Sequence, residues 1–133
     1  MMSVSKAEMT AMRSALGRVR GLGSAKSGTG HWWAQRLTAI ALVPLAVWFV
    51  LSLLAHLGAP HAAVAHWIGR PVNAVLLLAL IVALFHHLQL GLQVVIEDYI
   101  HGEAARLAVL LSMRAAVVLL FLTALIAILR MAL

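Results

Sequence analysis

The chain has 133 residues, of which 64% are hydrophobic and only 11% charged. A soluble domain carries about 25% charged residues, so this composition excludes an ordinary water-soluble enzyme. The net charge of +6 does not indicate nucleic-acid binding, because six of the ten basic residues lie at or before Arg36. The absence of cysteine excludes disulfides and thiolate iron–sulfur or zinc sites in this chain.

Residues 1–30 are polar and basic, and we predict a cytoplasmic N-terminal arm that lies on the surface or docks on a soluble partner. Basic residues concentrate on the cytoplasmic side of membrane proteins, so they place the N-terminus inside. No short apolar core precedes a small-residue cleavage site, which argues against a secretory signal. A mitochondrial transit peptide stays an alternative, since Glu8 is the only acidic residue of the arm. We prefer a location of the protein in a bacterial inner membrane.

Three long apolar segments follow the arm. No charged residue occurs between Arg36 and Arg70, or between Arg70 and Glu97, and each gap exceeds the ~20 residues that a helix needs to cross a bilayer. Alternating barrel strands of about ten residues are not seen, which leaves helices as the spanning form. Residues 31–133 are therefore predicted to form an all-α, three-helix transmembrane anchor, with spans at about residues 37–57, 72–96 and 107–132.

The ends of the spans carry polar and aromatic residues. Trp32 and Trp33, just before the first span, are typical of the membrane–water interface. His31 is either an ordinary interfacial side chain or a site residue. Arg36 either reaches back to the lipid headgroups or faces the bundle and meets an anion. Between the first two spans, Gly58 to Arg70 is predicted to be a loop on the outer side.

Two adjacent histidines, His86 and His87, lie near the middle of the second span, where a polar side chain is costly unless it has a use. Neighbouring residues point about 100° apart on a helix, so both cannot ligate one iron. Neutral imidazole is a good axial ligand for haem iron, and Gly91, one turn from His87, would leave room for a haem. Equally, Gly91 could serve only as a contact at which another helix packs closely. His31 and His56, at opposite ends of the first span, do not match the depth of His87, so a bis-histidine haem would need its second ligand from another subunit.

The second span ends in a carboxylate and a phenol. Asp98 lies eleven residues after His87, on the same helix face and about 16 Å along the axis. A quinone carbonyl needs hydrogen-bond donors and, once reduced, protons; Tyr99 can donate and Asp98 can relay. The alternative is a polar helix end at the interface. Gly102 is predicted to cap this helix, and Arg114 in the third span either reaches the headgroups or faces an anionic partner.

The arrangement His-x3-Gly-x6-Asp-Tyr, formed by His87, Gly91, Asp98 and Tyr99, resembles the small hydrophobic membrane anchor of succinate dehydrogenase, which is respiratory complex II. Residues 31–41, in which an arginine is followed shortly by Thr-Ala-Ile, are similar to that family's entry into its first helix. The resemblance covers the chain from about residue 27 onwards.

This resemblance implies a heteromeric complex. The anchor pairs with a second membrane-anchor cytochrome subunit, holds one haem b and a ubiquinone site with it, and docks an iron–sulfur subunit and a flavoprotein subunit. His87 would be the axial ligand of the haem iron. Tyr99 would hydrogen-bond ubiquinone, Asp98 would support proton delivery, and Arg36 would lie near the haem propionates and the quinone. The candidate cofactor-binding residues are His87, Arg36, Gly91 and His31.

The implied activity is that of succinate:ubiquinone oxidoreductase, which joins the tricarboxylic acid cycle to electron transport. This chain would bind neither succinate nor flavin, and it would have no activity alone. One alternative is the anchor of a related quinol:fumarate reductase. Another is a small non-redox membrane protein whose Asp, Tyr and His residues relay protons or only pack.

Overall fold

A computed structural model describes residues 28–133, which form four α-helices: α1 (Gly28–Ala55), α2 (His61–Ile68), α3 (Pro71–Tyr99) and α4 (Glu103–Ala132). This part of the chain contains no β-strand. Three of the helices, α1, α3 and α4, are long and apolar enough to cross a membrane. The predicted all-α fold with three spans is therefore confirmed, whereas the predictions for residues 1–27 lie outside the described residues.

The helices are longer than the predicted spans, because hydropathy detects only the part of a helix that lies in hydrocarbon. A helix of 28 residues, such as α1, is about 42 Å long, which exceeds the ~30 Å hydrocarbon core. The helix already begins at Gly28, inside the predicted arm. The second long helix, α3, extends past the predicted end of its span at residue 96 and continues to Tyr99. Asp98 and Tyr99 are therefore helical residues.

Two local predictions differ from the structure. The connection from Gly58 to Arg70, predicted to be a loop, contains the eight-residue helix α2. Gly102, predicted to cap the second long helix, instead lies before the first turn of α4 with extended dihedral angles, and Ile100 caps α3. A glycine in a short connection serves either helix end, so the sequence alone does not separate the two roles.

The tightest packing lies between α3 and α4. Phe85 of α3 meets Phe121 of α4 edge to face, with ring centroids 5.9 Å apart. By contrast, α1 has no buried residue, so most of its surface is left for lipid or another membrane subunit. Among residues 28–133, seven are buried, six of them on α3 and one on α4: Ala74, Leu77, Leu80, Ile81, Ala83, Leu90 and Val117.

At one end of the bundle, α1 packs on α2 through an aromatic group that we call the α2 cluster, formed by Trp48, His56, Trp67 and Asn73. Trp48 stacks on Trp67 with centroids 5.7 Å apart, and His56 lies 5.1 Å from the same ring. His56 Nδ1 donates to the Ser52 carbonyl at 2.8 Å, and Asn73 Nδ2 donates to the Trp67 carbonyl at 2.7 Å. This end is held by contacts within the chain.

Candidate functional site

The imidazole of His87 lies between α3 and α1, half-buried. Its Nδ1 is 3.0 Å from Thr38 Oγ1, and its Nε2 is 3.4 Å from Gln35 Nε2. Thr38 and Gln35 are three residues apart on α1, so they form one polar patch opposite the ring. We call His31, Gln35, Thr38, His87 and Gly91 the His87 cluster.

Gly91 lies one turn after His87 and faces the same patch. Among the described residues, a Cβ at this position would meet Gln35 Nε2 at 3.5 Å and nothing else within 4 Å beyond its own helix and chain neighbours. That distance is an ordinary van der Waals contact, so an alanine would fit and a larger side chain would collide with Gln35. Because His87 meets Thr38 while Gly91 meets the earlier residue Gln35, α1 and α3 run antiparallel here.

Two polar atoms of the His87 cluster have no partner. Within residues 28–133, His31 Nε2 and Gln35 Oε1 are buried and make no hydrogen bond. These residues are four apart and therefore share one side of α1. A buried polar group without a partner costs about 1–3 kcal/mol, so these two atoms offer unused hydrogen-bonding capacity within residues 28–133.

Asp98 and Tyr99 lie at the end of α3, on its exposed surface, and Tyr99 is 78% exposed. Neither side chain hydrogen-bonds to another described residue. The neighbouring Glu97 instead accepts a hydrogen bond from Gln93 Nε2 at 2.8 Å. It points about 100° away from Asp98 around the helix. The acid and the phenol predicted to serve a quinone are thus accessible, at a rim beyond the His87 cluster.

Arg36 points away from His87. Its guanidinium lies 4.1 Å from the centre of the Trp32 ring, on the exposed surface of α1, in a cation–π contact. The structure therefore does not bring Arg36 and His87 together within this chain.

The two adjacent histidines face different helices. His86 is exposed and lines a cleft of about 230 Å³ between α3 and α4, beside Phe85 and Phe121. On the same side, Arg114 Nη2 donates to Gln93 Oε1 at 3.2 Å. Arg114 therefore meets a neutral amide of α3, and His86 takes no part in the His87 cluster.

Gln35 and Thr38 are site residues that the sequence prediction missed. Together with His31 they stand at positions i, i+4 and i+7 of an otherwise apolar helix, which is the spacing of one helix face. This spacing is the signal that could have identified them. It becomes meaningful only once α1 is known to present that face to His87.

The donor set of the site is a single imidazole. Residues 28–133 contain no group of three or more His, Cys, Asp or Glu side chains that could hold a metal ion. A haem is held differently, since its porphyrin supplies four ligands and the protein one or two. The half-buried His87, the uncrowded Gly91 and the unpaired atoms of Gln35 and His31 fit one side of a haem pocket.

These features define a small helical membrane protein with three helices long and apolar enough to span a bilayer and a histidine-containing polar cluster between two of them. Residues 10–128 match the model of the succinate dehydrogenase/fumarate reductase transmembrane subunit family. That match covers most of the chain, so the chain belongs to this family. The resemblance predicted from the motif is confirmed.

Individual relatives agree with this assignment. The chain is 35% identical over 102 residues to the succinate dehydrogenase hydrophobic membrane anchor subunit of Rickettsia bellii, a match covering 77% of this chain and 82% of the relative. It is 30% identical over 92 residues to the protein of the same name from Paracoccus denitrificans, covering 69% and 71%. The Reclinomonas americana succinate dehydrogenase membrane anchor subunit is 34% identical over 85 residues, covering 62% and 71%. No solved structure matches significantly.

Proposed function

We propose that this chain holds haem b together with a second anchor subunit and helps to form the ubiquinone-reduction site of a succinate:ubiquinone oxidoreductase. The observation that carries this proposal is the His87 cluster. It combines a half-buried imidazole in the middle of α3, an uncrowded Gly91, and two buried polar atoms that find no partner within the described residues. Family membership supports the anchoring role, and the cluster supports the haem.

His87 would hold the haem iron through Nε2, and Gly91 would leave space beside it. Gln35 Nε2 now lies 3.4 Å from that nitrogen, so its flexible side chain must swing aside, at a cost of about 1 kcal/mol for one hydrogen bond. When bound, the haem would supply reversible one-electron storage near the quinone.

The second axial ligand would come from the partner subunit. On α1, the Thr38 hydroxyl marks the depth of His87. By helical rise, His31 lies about 10 Å and His56 about 27 Å from that depth. His56 is in addition committed to the Ser52 carbonyl.

At the end of α3, Tyr99 would donate a hydrogen bond to a ubiquinone carbonyl. Asp98 would pass protons from water to the quinone, which takes up two protons with two electrons on reduction to quinol. Both groups are exposed in the single chain. A quinone held between this chain and a partner subunit would contact side chains that are exposed before the subunits assemble. Arg36, on the exposed face of α1, would meet the haem propionates or the quinone pocket in the assembled complex.

The iron–sulfur and flavoprotein subunits would dock where α3 ends and α4 begins. A recess of about 460 Å³ lies there, lined by Glu97, Glu103, Arg106 and two leucines. The basic N-terminal residues favour a cytoplasmic position for this end, because α1 begins at the end where α3 finishes. The protein would then be a multi-pass protein of a bacterial inner membrane, with electrons entering from the cytoplasmic side.

A second candidate is the anchor of a quinol:fumarate reductase, which the description of the matched family includes. It would use the same fold and the same histidine but would run with a quinol of lower potential. Comparing succinate oxidation by ubiquinone with fumarate reduction by menaquinol in the purified complex separates the two. Faster fumarate reduction would favour this candidate.

The haem proposal is tested by replacing each of the two adjacent histidines. In the purified four-subunit complex, the haem-to-flavin ratio and the dithionite-reduced minus oxidised spectrum are measured for His87→Ala and His86→Ala. We expect His87→Ala to abolish the b-type band, because it removes the ligand, and His86→Ala to keep it, because His86 faces α4. An intact band in His87→Ala would assign the ligand elsewhere. A wild-type complex without the band would refute the haem part of the proposal.

A further inference from the structure

The hydroxyl proton of Thr38 is committed to its own helix. Thr38 Oγ1 lies 2.8 Å from the Ala34 carbonyl and 3.0 Å from the Gln35 carbonyl. Carbonyls only accept, and a hydroxyl has a single proton to donate. What Thr38 presents to His87 Nδ1, at 3.0 Å, is therefore an oxygen lone pair.

An oxygen lone pair attracts an N–H and repels another lone pair. The contact with Thr38 thus requires the proton of the neutral imidazole to be on Nδ1. The Gln35 amide, which would swing aside for a haem, now faces the other ring nitrogen, Nε2, at 3.4 Å. With the proton on Nδ1, the lone pair of the ring lies on Nε2.

We infer that Thr38 is a positioning residue that holds His87 in the Nδ1–H tautomer and so directs the Nε2 lone pair to the iron. This inference rests on the proposed haem function. In lipid there is no water to take over the contact, so the hydroxyl is the group that decides the tautomer. The partner of the non-ligating nitrogen fixes the ring and raises its basicity, and loss of such a partner lowers metal affinity about 10- to 100-fold.

The chain offers a matched set of variants. Thr38→Val keeps the shape of the side chain and removes the hydroxyl, and Thr38→Ser keeps the hydroxyl. Thr123 on α4 donates to the Leu119 carbonyl at 2.8 Å, the same contact within a helix without a histidine. Thr123→Val therefore controls for the loss of an intrahelical hydroxyl bond.

The test measures the haem affinity and haem midpoint potential of the assembled complex. We expect Thr38→Val to lower the affinity about 10- to 100-fold and to raise the potential, because a less basic imidazole stabilises ferric iron less. Thr38→Ser should restore both values, and Thr123→Val should leave both unchanged. Unchanged affinity and potential in Thr38→Val, with haem present in the wild type, would overturn the inference while leaving the proposed function in place.

A wild-type complex without haem would instead refute the proposed function, and a second measurement then decides the tautomer. Nitrogen-15 NMR of the histidine-labelled complex, with His87→Ala to assign the signal, reports which ring nitrogen carries the proton. A proton on Nδ1 that is lost from that position in Thr38→Val supports the role of Thr38. A proton on Nε2 of the wild type overturns it.

Discussion

Two clusters join α1 to the rest of the chain, and each contains a histidine. In the α2 cluster, His56 gives its Nδ1 proton to a main-chain carbonyl at 2.8 Å and rests against the Trp67 ring. In the His87 cluster, both ring nitrogens face side chains of α1, yet His31 Nε2 and Gln35 Oε1 find no partner among the described residues.

The state of the hydrogen-bonding groups separates a structural cluster from one that can bind something. The α2 cluster satisfies its histidine and asparagine within the chain and surrounds them with aromatic rings, so nothing need be added to it. The His87 cluster keeps spare hydrogen-bonding capacity on two buried atoms, His31 Nε2 and Gln35 Oε1. Because unpaired polar groups are costly when buried, we interpret this cluster as the part of the chain that is completed by a bound group and a partner.

The largest expected effect comes from filling the space beside His87. Gly91→Leu places atoms beyond a Cβ that would already lie 3.5 Å from Gln35 Nε2, and overpacking costs about 1–3 kcal/mol. Since 1.4 kcal/mol is a factor of ten, we expect the haem-to-flavin ratio of the purified complex to fall about 10-fold or more at limiting haem. Gly91→Ala, whose Cβ makes only an ordinary contact, should retain haem. Full haem content in Gly91→Leu would show that this face is not beside the haem.

An intermediate effect, on stability rather than on the cofactor, is expected in the α2 cluster. Trp67→Ala removes the ring on which Trp48 and His56 pack. We expect a loss of about 2 kcal/mol in the unfolding free energy of the complex in detergent, below the 3–5 kcal/mol of a fully buried Trp because Trp67 is half-buried. Trp33→Ala, at a 53% exposed position, is the control and should cost less. A loss of haem in Trp67→Ala without a loss of stability would contradict the division between the clusters.

The smallest effect is expected at the rim of α3. Tyr99→Phe removes one hydrogen-bond donor worth about 1 kcal/mol, so kcat/KM for ubiquinone should fall about fivefold, and the haem spectrum should not change. Asp98→Asn should slow turnover more than it alters KM, because it removes a proton relay. Glu97→Gln is the matched control, since Glu97 is engaged by Gln93 on another side of the helix. Equal kinetics of Tyr99→Phe and wild type would remove the phenol from the quinone site.

Most of the fold could be predicted because charge is the strongest signal in a membrane protein. The gaps between Arg36, Arg70 and Glu97 fixed the first two long helices to within a few turns. The helix α2 was missed because eight residues between a proline and a glycine carry too short a pattern to separate a helix from a loop. In the structure α2 packs through Trp67 against Trp48, a contact between residues distant in the sequence that a local pattern does not reveal.

Only the part of the candidate site that lies on α3 could be predicted from the sequence. The depth of His87 and its one-turn spacing to Gly91 follow from helical geometry, and the structure places both at the contact with α1. The side of α1 that faces them did not follow, because the polar residues of α1 point in more than one direction: Arg36 lies about 100° from Gln35 around the helix. Gln35 and Thr38 were therefore missed, while Arg36, chosen for its charge, proved to lie over Trp32.

The contact between Thr38 and His87 also has a consequence for how the helices assemble. If the surface of α1 were apolar throughout, α1 could shift along α3 with little change in free energy, because each apolar turn resembles the next. A slide by one turn, about 5.4 Å, would bring Ala34 or Leu42 opposite the imidazole, and neither offers a hydroxyl. Together with the stacking of Trp48 on Trp67, the polar contact therefore favours one vertical alignment of the two helices.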